Sequence, residues 1–288
     1  MTELEFDRKL AALVEAALME DVGDGDHSSL SCIPSGQEGD AELKVKEAGV
    51  LAGMVAAEKI FKMVEPSASF VGYKKDGDKM VPGEIAFEVG ASVHTILKTE
   101  RLVLNTMQRM SGIASLTRQY TNKLIGYKTR LLDTRKTTPN FRLLEKLAVK
   151  IGGATNHRFG LYDMIMLKDN HIDYCGGIEK AVELAWNYVQ EKKPGLQIEV
   201  ETRSLEDIRL AVGTGKVDRI MLDNFTPAMI VEGLRIIEGR CETEASGGIN
   251  LDTIVAFAAT GVDFVSVGGL IHQARSLDLS LKAKVSPL

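Results

Sequence analysis

The sequence predicts an α/β protein in two parts: a compact α+β domain of roughly one hundred residues, then a run of strand–helix units. Three observations carry this. Before about residue 127, short runs of period-two alternation are mixed with helical patterns. From about residue 128, short apolar runs alternate with amphipathic helical patterns, as in a parallel sheet. Each of those apolar runs also ends in a polar residue. Six or seven such units could close into an α/β barrel, complete or open on one side. A doubly wound open sheet is the alternative. It is disfavoured because the chain has no Gly-x-Gly-x-x-Gly fingerprint and no Walker loop.

In chain order, residues 4–20 repeat apolar positions at helical spacing (Leu10, Leu13, Val14, Ala17, Leu18). Residues 41–48, "AELKVKEA", alternate as a strand, and 53–64 read as a helix. Strand-like runs follow at 69–73, 85–89 and 92–98, with "KDGDK" as a hairpin-type turn, and 100–124 reads as one long helix. His94 is then a strand-surface residue. The later strands are "TRLLD" 129–133, "MIMLK" 164–168, "QIEVE" 197–201, "RIMLD" 219–223, "CETEA" 241–245 and "DFVSV" 263–267. Helical patterns fall at about 140–151, 178–191, 204–213, 226–238 and 250–259. Met164 and Met166 read as strand core and Trp186 as helix packing.

Composition narrows the function. The 288 residues are 44% hydrophobic and 26% charged, with a net charge of −5, so no basic field invites nucleic acid or an anionic membrane. No apolar run approaches the ~20 residues of a membrane span, and the charged N-terminus is unlike a secretory signal. Three dispersed cysteines (Cys32, Cys175, Cys241) fit a reducing cytoplasm better than a disulfide framework or a zinc site. One segment departs from this acidic background. Residues 130–168 carry Lys/Arg at 130, 135, 136, 142, 146, 150, 158 and 168 against Asp/Glu at 133, 145 and 163, a net charge of +5. Arg142, Lys146 and Lys150, at i, i+4 and i+8, read as a solvated helix face. Arg135, Lys136, Arg158 and Lys168 sit in or beside turns, where that explanation is weaker.

The strand ends bring complementary groups together. They are Asp133 with Arg135 and Lys136, Lys168 with Asp169, Asn170 and His171, Glu201, Asp223 with Asn224, Glu244 with Ser246-Gly247-Gly248, and Ser266 with Gly268-Gly269. In α/β barrels the site lies at the carboxyl ends of the strands. The glycine loops let backbone N–H groups approach an anion, and the loops after the last strands are the usual phosphate site. Arginine suits planar carboxylates and lysine acts as a point charge. Glu201 and Asp223 suit sugar hydroxyls or Mg²⁺ held through waters. The implied substrates are a phosphosugar and a multiply charged small acid. His171 is either a site residue or a helix-start residue.

The stretch "TRLLDTRKTTPNFRLLEKLAVKIGGATNHRFGLYDMIMLKDNH" resembles the central signature of the quinolinate phosphoribosyltransferases. "ALMEDVGDGDHSS", "ERLVLNTMQRMSGIAS", "VETRS", "MLDNF", "ASGGI" and "VSVGGLIH" match further elements of that family in order, so the resemblance covers nearly the whole chain. It implies transfer of phosphoribosyl from phosphoribosyl pyrophosphate to the ring nitrogen of quinolinate. Pyrophosphate and CO₂ leave, Mg²⁺ is required, and nicotinate mononucleotide forms on the de novo route to NAD. It implies an N-terminal α/β sandwich domain over 1–110 and an incomplete, roughly seven-stranded α/β barrel over 111–274. A tail, 275–288, would pack back on the first domain. It also implies head-to-tail homodimers with shared sites, with hexamers open.

By resemblance, Arg135, Lys136 and Arg158 hold the quinolinate carboxylates with His157 beside them, and Arg101 is the arginine donated across the dimer. Lys168 lies near substrate carboxylate and pyrophosphate. Glu201 and Asp223 face the ribose and its Mg²⁺, and Ser246, Gly247, Gly248, Gly268 and Gly269 form the 5′-phosphate loops. Lys136, Lys168, Glu201 and Asp223 are the catalytic candidates. Two stretches depart from the family pattern: Gly25-Asp26-His27-Ser28-Ser29, and Ile271-His272-Gln273, which weakens any hydroxyl role at 271 or 273. The rival readings are relatives acting on nicotinate or belonging to molybdate loci, a barrel lyase using Lys168 as a Schiff base, and a non-catalytic metabolite sensor.

Overall fold

In the computed structural model, residues 2–284 are described. The elements in chain order are α1 (Glu3–Val22), α2 (His27–Cys32), β1 (Glu38–Val45), β2 (Gly49–Val50), α3 (Met54–Val64), β3 (Ser69–Gly72), β4 (Lys79–Met80), β5 (Ile85–Ser92) and α4 (Val93–Lys123). Next come β6 (Arg130–Leu132), α5 (Arg142–Ile151), β7 (Ile165–Leu167), α6 (Asp169–Cys175), α7 (Ile178–Lys192), β8 (Ile198–Thr202), α8 (Leu205–Gly213) and β9 (Arg219–Asp223). The chain ends with α9 (Pro227–Ile237), β10 (Glu242–Ser246), α10 (Ile254–Ala258), β11 (Phe264–Ser266), α11 (Gly269–His272) and β12 (Leu279–Ala283). They form two compact units. One holds residues 1–118, 137–153 and 270–288; the other holds 119–136 and 154–269.

The first unit is built on an antiparallel sheet of order β12-β1-β5-β3. Alternation along β1 turns Ala41, Leu43 and Val45 inward, opposite Ala283, Leu281 and Leu279 of β12. From α3, Phe61 meets Phe87 of β5 edge-on, with ring centroids 6.2 Å apart. Asp76 closes the α3 N-terminus by accepting from the amides of Gly53 and Met54 at 2.6 and 2.9 Å. In the middle of α4, a Cβ on Gly112 would collide with the Arg275 carbonyl, so glycine is required there. Residues 285–288 of the expected C-terminal tail lie outside the described residues.

Four local expectations are corrected. Residues 93–98 are the start of α4, not a strand. Ser92 caps that helix, its hydroxyl accepting from Thr95 N–H at 3.2 Å, and Val93, Ile96 and Leu97 fall at helical spacing. His94 therefore lies on a helix, its Nε2 3.1 Å from the Ile33 carbonyl. The "KDGDK" turn does not close a hairpin, because β3 pairs with β5 while β4 pairs with β2. Lys146 is buried at 2% exposure, because α5 packs over most of its circumference and has no wholly solvated face there. Arg142 is half-buried and donates to Thr137 Oγ1 at 2.9 Å, while Lys150 is exposed.

Beside Lys146, the fully buried Glu145 accepts from Arg109 Nε and Nη2 at 3.0 and 2.9 Å, and from Thr138 N–H and Oγ1 at 2.7 and 2.9 Å. Arg109 also donates to the carbonyls of Ile271 and Ala274 at 2.8 and 2.6 Å. This accounts for one departure from the family pattern: Ile271, 1% exposed, serves through its carbonyl while its side chain fills the core. Glu145→Ala leaves a guanidinium without its counter-charge. It is expected to cost roughly 3–5 kcal/mol, read as a lowered urea midpoint. A loss below about 1 kcal/mol would match an exposed pair and contradict this account.

The second unit is a parallel sheet of order β6-β11-β10-β9-β8-β7, with one further parallel bridge from Leu132 to Thr155 beside β6. Among the described residues no ladder joins β7 to the 155 segment, so the sheet is barrel-like but open. α5, which follows β6, belongs to the other unit. Alternation divides each strand. On β9, Ile220 and Leu222 are apolar; a Cβ on Gly233 of α9 would press on Leu222 and on Ile208 of α8, which marks the helix-covered side. Arg219, Met221 and Asp223 take the opposite face of β9, and Glu199 and Glu201 hold the same relation on β8. The polar residues thus line one face, with Glu201, Asp223 and Ser246 at its carboxyl edge.

Candidate active site

The site residues of the second unit hang from strand ends. After β6, the fully buried Asp133 accepts from Asn156 Nδ2 and from His157 N–H, both at 2.7 Å, fixing the 155–158 segment against the strand. Thr134 Oγ1 accepts from Lys136 N–H at 3.1 Å and tightens the turn that carries Arg135 and the exposed Lys136. The Arg135 and Arg158 side chains lie close enough to repel. Burial first, then the charge of Arg135, lower the Arg158 pKa. Arg158 Nη1 donates to the Met164 carbonyl at 3.1 Å, while the buried Arg135 Nε has no hydrogen-bond partner. Two half-buried guanidiniums side by side, one with an unused donor, are of the kind that could take a dianion.

Opposite in charge is the β8–β9 edge. Lys168 is the N-cap of α6, and its Nζ lies 2.5 Å from Glu201 Oε2. Asp223 is pushed above its ordinary carboxylate range by burial first and by Glu201 second, with Lys168 and the Asn224 hydrogen bond opposing. Asn224, at φ 58°, donates from Nδ2 to Asp223 Oδ2 at 2.7 Å, and its own N–H bonds the Ser246 carbonyl at 2.8 Å. Gly247 and Gly248 follow at φ 95° and 64°, and a Cβ on Gly247 would strike the Asn224 side chain. This loop does not run straight into a helix as expected: α10 begins only at Ile254 and spans five residues. Gly268 and Gly269 follow β11, whose Ser266 hydroxyl is buried without a partner. Lys168 Nζ is held by Glu201 and is not presented as a free nucleophile for a Schiff base.

His157 points inward: its side chain is 4% exposed and its Nε2 lies 3.0 Å from Glu199 and 3.2 Å from Glu244. Burial alone would lower its pKa, but hydrogen bonding and charge from the two glutamates outweigh it and raise it to about 9. Arg101 lies on α4 in the first unit, exposed. His171 is a helix-start residue, its Nδ1 accepting from Lys168 N–H at 3.1 Å. Sequence reading missed the roles of Asn224, Asn156 and the buried layer of Glu199, Arg219 and Glu244. The period-two pairing of Glu199 with Glu201 in "QIEVE" is the signal that pointed to Glu199.

The family model "Quinolinate phosphoribosyl transferase, C-terminal domain" matches residues 113–282, and its N-terminal counterpart matches 26–111. The chain belongs to the quinolinate phosphoribosyltransferase family. It is 41% identical over 288 residues to quinolinate phosphoribosyltransferase [decarboxylating] 2b, mitochondrial, of Nicotiana tabacum, covering 95% of this chain and 82% of that protein. It is 41% identical over 278 residues to the probable nicotinate-nucleotide pyrophosphorylase [carboxylating] of Bacillus subtilis, covering 96% and 94%. The crystal structure of NadC from Streptococcus pyogenes superposes with a TM-score of 0.89 at 41% identity, covering 98% and 97%. The fold of the quinolinate phosphoribosyltransferases is thus that of this chain: an antiparallel-sheet domain and a parallel, barrel-like α/β domain.

Proposed function

We infer that the open edge of the parallel sheet is where a phosphoribosyl group passes to quinolinate. The chain is a decarboxylating quinolinate phosphoribosyltransferase that makes nicotinate mononucleotide for NAD biosynthesis. The observation that carries the placement is the Arg135–Arg158 pair, two like charges held together with a donor unused. Adjacent carboxylates on a pyridine ring answer it, with Lys136 and Lys168 as further cations. A single carboxylate leaves one guanidinium uncompensated, which favours quinolinate over nicotinate.

The chemistry follows from charge. The bond from the ring nitrogen to C1 of the ribose forms as the bond from C1 to pyrophosphate breaks. Positive charge develops on the ribose, and the carboxylates of Glu201 and Asp223 favour it. Lys168 stabilises the departing pyrophosphate, and the arginines aim the nitrogen at C1. The positive charge of the alkylated nitrogen then stabilises the electron pair left at C2 as CO₂ departs, and a proton takes that pair in place of the carboxyl group. No covalent enzyme intermediate is needed.

Burial, and then repulsion from Glu201, raise the Asp223 pKa, and that repulsion fits a divalent cation in that place. These two side chains would hold Mg²⁺ bound with phosphoribosyl pyrophosphate. Bound there, the ion supplies charge neutralisation to the pyrophosphate. Gly247 and Gly248 take positive φ without a side chain to keep an anion from their backbone, which supports the 5′-phosphate role, with Ser246, Gly268 and Gly269 alongside. The exposed Arg101 supports a homodimer in which each copy completes the other's site. No helix among the described residues is long and apolar enough to cross a membrane. The dispersed free cysteines support a reducing cytoplasm.

Calorimetry with two unreactive probes tests the dicarboxylate reading. Benzene-1,2-dicarboxylate is expected to bind at least tenfold tighter than benzoate, a difference of about 1.4 kcal/mol or more. Equal affinity would contradict it.

A further inference from the structure

Arg158 sits in irregular backbone, residues 156–164, between the bridge at Thr155 and strand β7. Both ends of this stretch are tied to the sheet. At its start, Thr155 N–H donates to the Leu131 carbonyl at 2.9 Å, and His157 N–H donates to the buried Asp133 at 2.7 Å. At its end, Ile165 N–H donates to the Gln197 carbonyl at 3.0 Å, and β7 pairs with β8. The tip between them has little packing to hold it. Leu161 and Tyr162 are 71% and 65% exposed, so they bury little apolar surface.

Asp163 supplies the constraint that packing does not. Its Oδ2 accepts from Phe159 N–H at 2.7 Å, and its Oδ1 accepts from Gly160 N–H at 2.9 Å. Hydrogen bonds to a carboxylate are among the stronger ones, and here both of its oxygens are engaged. The Phe159 N–H belongs to the peptide that joins Phe159 to Arg158. Gripping it fixes the peptide plane after Arg158, as Asp133 fixes the chain before it. From that held backbone the Arg158 guanidinium donates from Nη1 to the Met164 carbonyl at 3.1 Å, across the mouth of the loop. The Asp163 charge also favours the Arg158 cation, against burial and the charge of Arg135. Asp163 is itself exposed, so its side chain adds nothing to the hydrophobic core.

This constraint bears on selectivity. Two positional isomers of a ring dicarboxylate carry the same charge and differ only in where the second carboxylate points. A pair of guanidiniums can tell them apart only if the pair is held still. Arg135 rides on the turn after β6, and Arg158 rides on the loop that Asp163 closes. On the reading that this edge binds quinolinate, we propose that Asp163 is a positioning residue. By gripping the turn after Arg158 it fixes the spacing of the two guanidiniums, and with it the preference for carboxylates on adjacent ring atoms. Asp163 itself does not touch the substrate.

Calorimetry of the whole protein with benzene-1,2-dicarboxylate and benzene-1,3-dicarboxylate tests this. The parent is expected to bind the 1,2 isomer about tenfold tighter or more, and Asp163→Ala to reduce that ratio to about threefold or less. In kinetics, Asp163→Ala is expected to raise KM for quinolinate about tenfold and to leave KM for phosphoribosyl pyrophosphate within about twofold. A general loosening of the protein would weaken both isomers alike and raise both KM values, and either result overturns the proposal. A parent that does not distinguish the isomers overturns it too. If the parent prefers the 1,2 isomer and Asp163→Ala keeps that preference, the functional reading stands and the proposal falls. If the parent binds neither isomer, the functional reading falls and takes the proposal with it.

Discussion

Replacing Lys168 with methionine is expected to lower kcat for phosphoribosyl transfer by roughly 10²- to 10³-fold. The butyl stem is nearly preserved, so the change removes charge and not packing. Lys168 has two duties in this geometry. Its Nζ, 2.5 Å from Glu201, holds that carboxylate in place, and it opposes the repulsion between Glu201 and Asp223. In the proposed mechanism the same ammonium would meet the negative charge of the leaving pyrophosphate. Glu201→Gln, which removes a carboxylate proposed to stabilise the ribose charge, is expected to fall in the same range. Because the two groups act as a unit, the double variant is expected to lose far less than the product of the single losses. Steady-state kinetics of the four proteins at saturating substrates checks this. Additive losses, or a Lys168→Met variant within threefold of the parent, would contradict the shared role.

Arg135→Ala is expected to separate function from stability. Removing one charge of a bidentate carboxylate receptor leaves a desolvated carboxylate unpaired. This raises KM for quinolinate by roughly a hundredfold, about 2.7 kcal/mol. The free protein, by contrast, loses a repulsive neighbour of Arg158 and a buried Nε with no partner. Its thermal midpoint is therefore expected to stay level or rise, as at strained functional sites generally. Scanning calorimetry alongside kinetics reads both effects. A large drop in stability would show Arg135 to be a structural residue.

Much of this arrangement was legible because strands and sites share a simple geometry. Period-two and strand–helix alternation located the six parallel strands within a residue or so, and the polar residue ending each strand marked the edge. Three kinds of feature stayed hidden. Residues 93–98 read as a strand because their apolar positions fit both periods over so short a window, and the Ser92 cap decides between them. Lys146 read as solvated because nothing local reveals that α5 is covered on more than one side. The partners of His157 come from strands more than forty residues away in sequence, so its inward orientation had no local signature. Asn224 was visible beside Asp223, but its bond to the Ser246 carbonyl, which ties the carboxylate edge to the glycine loop, follows only from the parallel pairing of β9 with β10.

The most direct measurement mixes the purified chain with quinolinate, phosphoribosyl pyrophosphate and Mg²⁺. It follows nicotinate mononucleotide and CO₂ together, with nicotinate as a parallel substrate. The account predicts equal amounts of the two products from quinolinate and negligible nucleotide from nicotinate. Turnover of nicotinate with none of quinolinate, or no product from either by a folded protein, would contradict it.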